Sequence, residues 1–501
     1  MDEPIRESGP HLATLLRGAL DGDGPLYRCL ADGLKRAIDR GEIPLGTVLP
    51  PERVLARSLS VSRATVVAAY DRLKAERWLE SRQGSGTWVR TPEATTTATR
   101  NDAVATGRLF LADDGHVQRS GPGEHRVGGD DLVELSVAAV NASPTINRIL
   151  TSLTLEELAP VTSHHGYLPQ GLRALRQAIA GRFTSTGLPT SDDQVLITTG
   201  AHQAISLIAR QTLEPGDTAL VESPTFPGAL DVFRRFGARM VPWPVDEHGV
   251  RLDVLEDVVA RSSPKVLYLA PHFHNPTGAI LPLERREAIG RIAAEHGIVV
   301  LEDLAMGDLE LDEVDLPPSI AALVDDVEVH TLGSTAKLFW AGLRVGWVRS
   351  PQDSALRMLA TKTVADLGTP LVSQLLAVKL LAERELVLAE RRAELVPRRD
   401  LVAEILRTRF PDWTFQLPPG GLSIWARLPQ GNADELAEVA LRHGVDVVPG
   451  PSLSVDEGNR QWLRIVFARP EPVLEAGMDR LEAAWRSYAP TTDRSAARLL
   501  V

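Results

Sequence analysis

Lys337 lies in the stretch Gly-Ser-Thr-Ala-Lys-Leu-Phe-Trp-Ala-Gly-Leu-Arg-Val-Gly-Trp, Gly333 to Trp347. Ser334 stands three residues before it and Arg344 seven after it. These three types suit one chemistry. The amine forms a Schiff base with an aldehyde, while the hydroxyl and the guanidinium hold a phosphate. Pyridoxal 5'-phosphate is the cofactor that asks for all three together.

Other segments supply what such a cofactor needs. Thr198-Thr199-Gly200-Ala201-His202-Gln203 follows an apolar run and opens a helical pattern, so its N–H groups at Gly200, Ala201 and His202 make an anion site. Phe226, in Ser223-Pro224-Thr225-Phe226, offers a face for stacking on a pyridine ring. Asn275, in Asn275-Pro276-Thr277-Gly278, offers an amide to the ring oxygen. Asp303 ends the run Ile298–Leu301 plus Glu302 and can pair with a protonated ring nitrogen. Arg464 offers a bidentate grip for the carboxylate of an amino-compound effector. No metal site is expected.

These residues need a scaffold. From about Leu132, β-rich runs such as Gln194–Thr198, Thr218–Val221, Val266–Ala270 and Ile298–Leu301 alternate with helical patterns. That alternation predicts an α/β domain with a mainly parallel sheet over 132–490. The pattern shifts from about Asp400 to strands such as Ser423–Ala426 and Leu463–Phe467, which predicts a smaller lobe.

A different unit precedes it over 23–90. Pro25–Arg40 reads as an amphipathic helix, with Leu30, Leu34 and Ile38 on one face. A second helix starts near Pro51. Ser62 caps a third, Arg63 to Ala75, whose Val66, Tyr70 and Leu73 share a face. Trp78–Arg82 and Thr87–Val89 flank Gln83-Gly84-Ser85-Gly86 as a hairpin. Three helices and a hairpin match a winged helix-turn-helix (α+β). Its third helix would read the major groove of a double-stranded DNA operator. Arg53, Ser62, Arg63, Thr65, Arg82 and Gly86 are the candidate DNA contacts. Residues 91–131, rich in Thr, Gly, Asp, Arg and Ser, read as a linker with a turn of order near Leu109-Phe110-Leu111.

Composition bounds the rest. A chain of 501 residues with 44% hydrophobic and 24% charged content holds two or more soluble domains. A single cysteine, Cys29, excludes an intrachain disulfide framework and fits a reducing, cytoplasmic location. Neither a signal peptide nor a membrane span is visible. The net charge of −12 is uneven: residues 1–90 carry 14 Lys+Arg against 12 Asp+Glu, and the remainder carries −14. A mildly basic head on an acidic body is compatible with DNA binding.

The segment LPPERVLARSLSVSRATVVAAYDRLKAERWLESRQGSGTWV resembles the GntR-type winged helix along its length, from the Glu-Arg after proline to the Gly-Ser-Gly wing. The order Gly200, Phe226, Asn275, Asp303, Lys337, Arg344, Arg464 resembles fold-type I aminotransferases over 132–490. Asn275, Asp303 and Lys337 are 28 and 34 residues apart, as that family arranges its equivalents. The combination resembles the MocR subfamily of transcription regulators. The resemblance implies a homodimer, with Tyr167 of His165–Gly171 reaching the phosphate of the neighbouring subunit. Relatives place a tyrosine two or three residues after the aspartate; here Leu304-Ala305-Met306 follows. Tyr268 falls inside a strand, and no local replacement is expected. The reading is therefore a cytoplasmic regulator sensing pyridoxal phosphate, or an amino compound reacting with it, with weak or absent transaminase activity. The alternative is an active aminotransferase with an accessory DNA-binding head.

Overall fold

The computed structural model describes residues 25–39, 47–59, 61–75, 79–82, 86–89, 132–163, 165–456 and 458–488, with positions 12, 13, 15, 16 and 43. The chain divides into two compact units, Met1–Ala103 and Val104–Val501.

Among its described residues the first unit includes the helices α1 (Leu26–Asp39), α2 (Glu52–Leu59) and α3 (Arg63–Ala75). Its strands β1 (Val48–Leu49), β2 (Leu79–Arg82) and β3 (Gly86–Val89) form an antiparallel sheet in the order β1-β3-β2. Apolar periodicity explains the packing. Leu30, Leu34, Leu55, Val66, Tyr70 and Leu73 are all fully buried in one cluster. The Tyr70 hydroxyl donates to the Pro50 carbonyl at 3.1 Å, which ties α3 to the turn before α2. Ser62 caps α3: its Oγ accepts the Thr65 N–H at 3.1 Å. Strand β1 was not expected. Two residues are too few to show an alternation.

In the second unit, eight strands form one sheet. They are β5 (Val195–Thr198), β6 (Thr218–Ser223), β7 (Arg239–Asp246), β8 (Gly249–Val250), β9 (Val266–Leu269), β10 (Val299–Asp303), β11 (Val329–Ser334) and β12 (Gly346–Arg349). The order is β5-β12-β11-β10-β9-β6-β7-β8. β12 runs antiparallel to both neighbours, so β5 and β11 point the same way. β6, β9, β10 and β11 are mutually parallel. Apart from the half-buried Val299, every residue of β5, β6, β9, β10 and β11 is buried, as a sheet covered on both faces requires.

A smaller sheet has the order β13-β14-β17-β16, with β13 at Thr414–Phe415, β14 at Ser423–Arg427, β16 at Val448–Pro449 and β17 at Trp462–Val466. The change of lobe expected from about Asp400 falls instead inside an unbroken helix, Arg384–Arg409. The smaller sheet begins only at Thr414. A separate two-stranded parallel sheet brings earlier chain to this part of the fold: β4 (Val133–Glu134) pairs with β15 (Val445–Asp446). A long helix shared by two lobes has no composition break to mark it. The expected linker 91–131, its turn near Leu109, and the hairpin tip 83–85 lie outside the described residues.

Candidate functional site

In a parallel sheet the loops that can bind a ligand gather at the carboxyl ends of the strands. β5, β6, β9, β10 and β11 end at Thr198, Ser223, Leu269, Asp303 and Ser334. The topology therefore delivers the Gly200 turn, the Phe226 segment, the Asn275 loop, Asp303 and the Lys337 segment to one edge of one sheet.

The phosphate end is built first. Gly200, at φ +83°, turns the chain from β5 into the helix Ala201–Thr212. A Cβ on Gly200 would meet Arg344 Nη2 at 3.1 Å, and one on Gly346 would meet the Gly200 carbonyl carbon at 2.6 Å. Only two glycines let β12 and Arg344 lie against this turn. Arg344 is exposed and holds a left-handed backbone, φ +52°, a strained state that clusters at functional sites. Its Nη2 donates to the Thr199 carbonyl at 2.9 Å. Ala201 and the exposed His202 open the helix. Partial shielding of the His202 ring from water, with Arg344 nearby, holds its pKa below the usual histidine range against the pull of Asp231. Ser334 is buried and its Oγ accepts the Ala336 N–H at 3.2 Å.

Lys337 sits in a single π-helical turn, Ala336–Trp340, an irregularity frequent at functional positions. Its Nζ donates to the Ala138 carbonyl at 2.7 Å. Burial first, then the Arg464 charge, brings its pKa down to about 8, with Asp303 opposing. Asp303 is buried. Its Oδ1 accepts the Ala305 N–H at 2.8 Å, and its Oδ2 accepts the Tyr268 hydroxyl at 2.7 Å. Burial raises its pKa, opposed by these donors and by Lys337.

Arg464, on β17, reaches the same place. Its Nη1 donates to Asn275 Oδ1 at 3.2 Å and its Nη2 to the Ser136 carbonyl at 2.6 Å. Its Nε is buried without a partner. An unpaired guanidinium N–H away from water is costly, and a ligand carboxylate satisfies it. With its oxygen taken by Arg464, Asn275 keeps its N–H donors for a ring oxygen. Phe226 is half-buried and lies beside Gly228, where an added Cβ would meet the Phe226 ring at 2.4 Å and His202 Nδ1 at 3.2 Å.

The edge thus joins Gly200, Ala201, Ser334, Lys337 and Arg344 with Asn275, Asp303 and Arg464, and sets His202 by Phe226. Tyr167 stands apart: it is 61% exposed, its N–H donates to His165 Nδ1 at 3.0 Å, and its ring lies 5.7 Å from that of His165.

Two features escaped the sequence reading. Tyr268 lies in β9 as expected, yet its hydroxyl enters the site, where it serves the acid rather than a ring oxygen. Its signal was the register: Tyr268 pairs with Leu301, which shares a sheet face with Asp303. The carbonyls of Ser136 and Ala138 also line the site. Backbone oxygens in an irregular segment carry no sequence signal.

On the first unit, Arg53 and Arg63 are exposed, Ser62 is exposed and Thr65 half-buried. The Ser62 and Thr65 hydroxyls are 2.8 Å apart. Arg82 and Gly86 pair across the hairpin. Among the described residues no helix is long and apolar enough to cross a membrane.

Comparison with known proteins agrees with both halves. Residues 26–89 match the bacterial regulatory proteins of the gntR family, and residues 143–481 match aminotransferase class I and II. The chain is 31% identical over 416 residues to the uncharacterized HTH-type transcriptional regulator YisV of Bacillus subtilis, covering 80% of this chain and 84% of that one. It is 28% identical over 475 residues to the probable rhizopine catabolism regulatory protein MocR of Rhizobium meliloti, covering 93% and 94%. The crystal structure of LysN, the alpha-aminoadipate aminotransferase of Thermus thermophilus in complex with N-(5'-phosphopyridoxyl)-L-leucine, superposes with a TM-score of 0.63 at 30% identity. The match covers 71% of this chain and 92% of that one. A GntR-type winged helix fused to a body of the pyridoxal phosphate-dependent class I and II aminotransferase family places this chain in the MocR subfamily of transcription regulators.

Proposed function

We propose that this regulator holds pyridoxal 5'-phosphate through Lys337 and reports its presence, or that of an amino compound reacting with it, to the DNA-binding head. The observation that carries the reading is the pairing of Lys337, an amine brought to about 8, with Arg464, a guanidinium whose buried Nε lacks a partner. One suits an aldehyde and the other suits the carboxylate of an amino acid. Bound there, pyridoxal phosphate supplies an aldehyde carbon for amines and an electron-poor ring. Asp303 holds a proton on the ring nitrogen. Asn275 donates to the ring oxygen. Gly200, Ala201, His202, Ser334 and Arg344 hold the phosphate, and Phe226 covers the ring. The exposed Tyr167 serves the neighbouring subunit of a homodimer.

Lys337 has two positions in this account, on the cofactor or on the Ala138 carbonyl. Arg464 likewise chooses between a ligand carboxylate and Ser136. Both carbonyls belong to the first described stretch after the segment that leads from the head. Occupancy of the site and the state of that stretch are therefore linked.

The test is reduction with borohydride in the presence of pyridoxal phosphate. The expected result is one trapped adduct on Lys337, lost in a folded Lys337→Ala variant; an adduct on another lysine contradicts the assignment. The second reading, an active aminotransferase, draws on the intact Asp303–Tyr268 pair. Steady-state turnover at about 1 per second or faster would favour it. Met306 argues against it, because an apolar side chain stands where relatives carry a second donor to the ring oxygen.

A further inference from the structure

Lys362, on the helix Gln352–Asp366, is fully buried, which is expensive for an ammonium group unless something holds it. It donates to Asp366 Oδ1 at 2.6 Å and Oδ2 at 2.8 Å. Asp366 does more than neutralise it. Its Oδ2 accepts from Gln203 Nε2 at 2.6 Å, and its Oδ1 accepts the Gly368 N–H at 2.9 Å. Gln203 Oε1 then accepts the Thr199 N–H at 2.8 Å. The Thr199 carbonyl is the group that receives Arg344. A continuous chain of hydrogen bonds therefore runs from the buried ammonium to the turn and the guanidinium that form the phosphate end of the site.

Direction matters in this chain. An amide can point either way, but a carboxylate only accepts. With a carboxylate at 366, the NH2 of Gln203 must face it and the oxygen must face Thr199. With an amide at 366, the Gln203 amide is free to turn, and the Thr199 N–H loses its acceptor. Against burial, the Gln203 amide and the Lys362 ammonium, with the Gly368 N–H, hold the Asp366 pKa below the usual carboxylate range. A second contact supports the same turn. The Thr199 hydroxyl lies 3.3 Å from that of Thr369, whose carbonyl accepts from the fully buried Gln374 at 2.7 Å.

We propose that Asp366, through Gln203, is a positioning residue for the phosphate of the ligand: it orients the Thr199–Gly200 turn and with it Arg344. The proposal rests on the reading that the site takes pyridoxal phosphate. It predicts a selective defect. A misoriented turn weakens the hold on the phosphate and leaves the ring and aldehyde contacts as they were.

The experiment compares pyridoxal phosphate with pyridoxal, which lacks the phosphate, by absorbance titration of the full chain. Asp366→Asn is expected to weaken pyridoxal phosphate about tenfold, the loss of roughly one hydrogen bond, with pyridoxal affinity unchanged. Gln203→Met, which removes no charge, should give the same selective loss, and the double variant should lose no more than either single one. Should Asp366→Asn not fold, Gln203→Met decides by the same ratio. An equal loss for both ligands marks a merely structural role and overturns the proposal, as does an unchanged ratio. If the wild-type chain binds neither ligand, the cofactor reading fails, and this proposal with it. Wild-type binding with unchanged selectivity in the variants overturns only the role of Asp366.

Discussion

Lys337 owes its low pKa to burial and to a cation, Arg464, that shares the site. The neutral amine is the species that adds to an aldehyde, and its fraction rises as pH passes the pKa. Adduct formation with pyridoxal phosphate should therefore accelerate between about pH 7 and 9 and level off above, since the midpoint lies near 8. Stopped-flow absorbance over a pH series checks this; a rise centred near the ordinary lysine value of about 10.4 contradicts it. Tyr268 offers a second test at this scale. Its hydroxyl is one of two donors to the Asp303 carboxylate. Tyr268→Phe removes a bond to a charged group worth roughly 1.5–3 kcal/mol. Asp303 then keeps its own proton more readily, and the pairing with a ring nitrogen weakens. Pyridoxal phosphate affinity should fall about tenfold or more, since 1.4 kcal/mol is a factor of ten. An unchanged titration would show that the Ala305 N–H alone suffices.

Elements explain why much of this site was readable and some was not. Asp303 ends a largely apolar strand, and Asn275 and Lys337 lie in the segments that follow two others; such apolar runs announce themselves in a sequence. Ser62 could be named as a cap because its chemistry is local: the hydroxyl meets an N–H three residues on. Tyr268 needed a register between two strands, and Ala138 needed a fold, so neither was legible. The change of lobe expected near Asp400 falls inside the unbroken helix Arg384–Arg409, so no break in secondary structure marks it. The head makes a prediction at this scale. Arg53 is the second residue of α2 and Arg63 the first of α3, and both are exposed in the first turn. Arg63→Ala should weaken specific DNA binding by about 1–3 kcal/mol if it meets a base. Replacing both should also lower the salt dependence of binding, because fewer counterions are released. Gel shifts over a salt series measure this, and unchanged affinity and slope would remove both residues from the interface.

At the scale of the whole molecule, a DNA-binding unit and an aminotransferase-like unit share one chain, and the family assignment rests on both. The charge imbalance between head and body was visible in composition alone, whereas the link between them was not. In the proposed account the carbonyls of Ser136 and Ala138, which hold Arg464 and Lys337, are the groups whose partners would change as the site fills. The most direct measurement is footprinting of the full chain on DNA from upstream of its own coding region, with and without pyridoxal phosphate. The account predicts that pyridoxal phosphate changes the protected region or the concentration needed for protection. It predicts the same DNA binding but no such change for Lys337→Ala. Identical footprints for the wild-type chain in both conditions would contradict the claim that this body senses its cofactor.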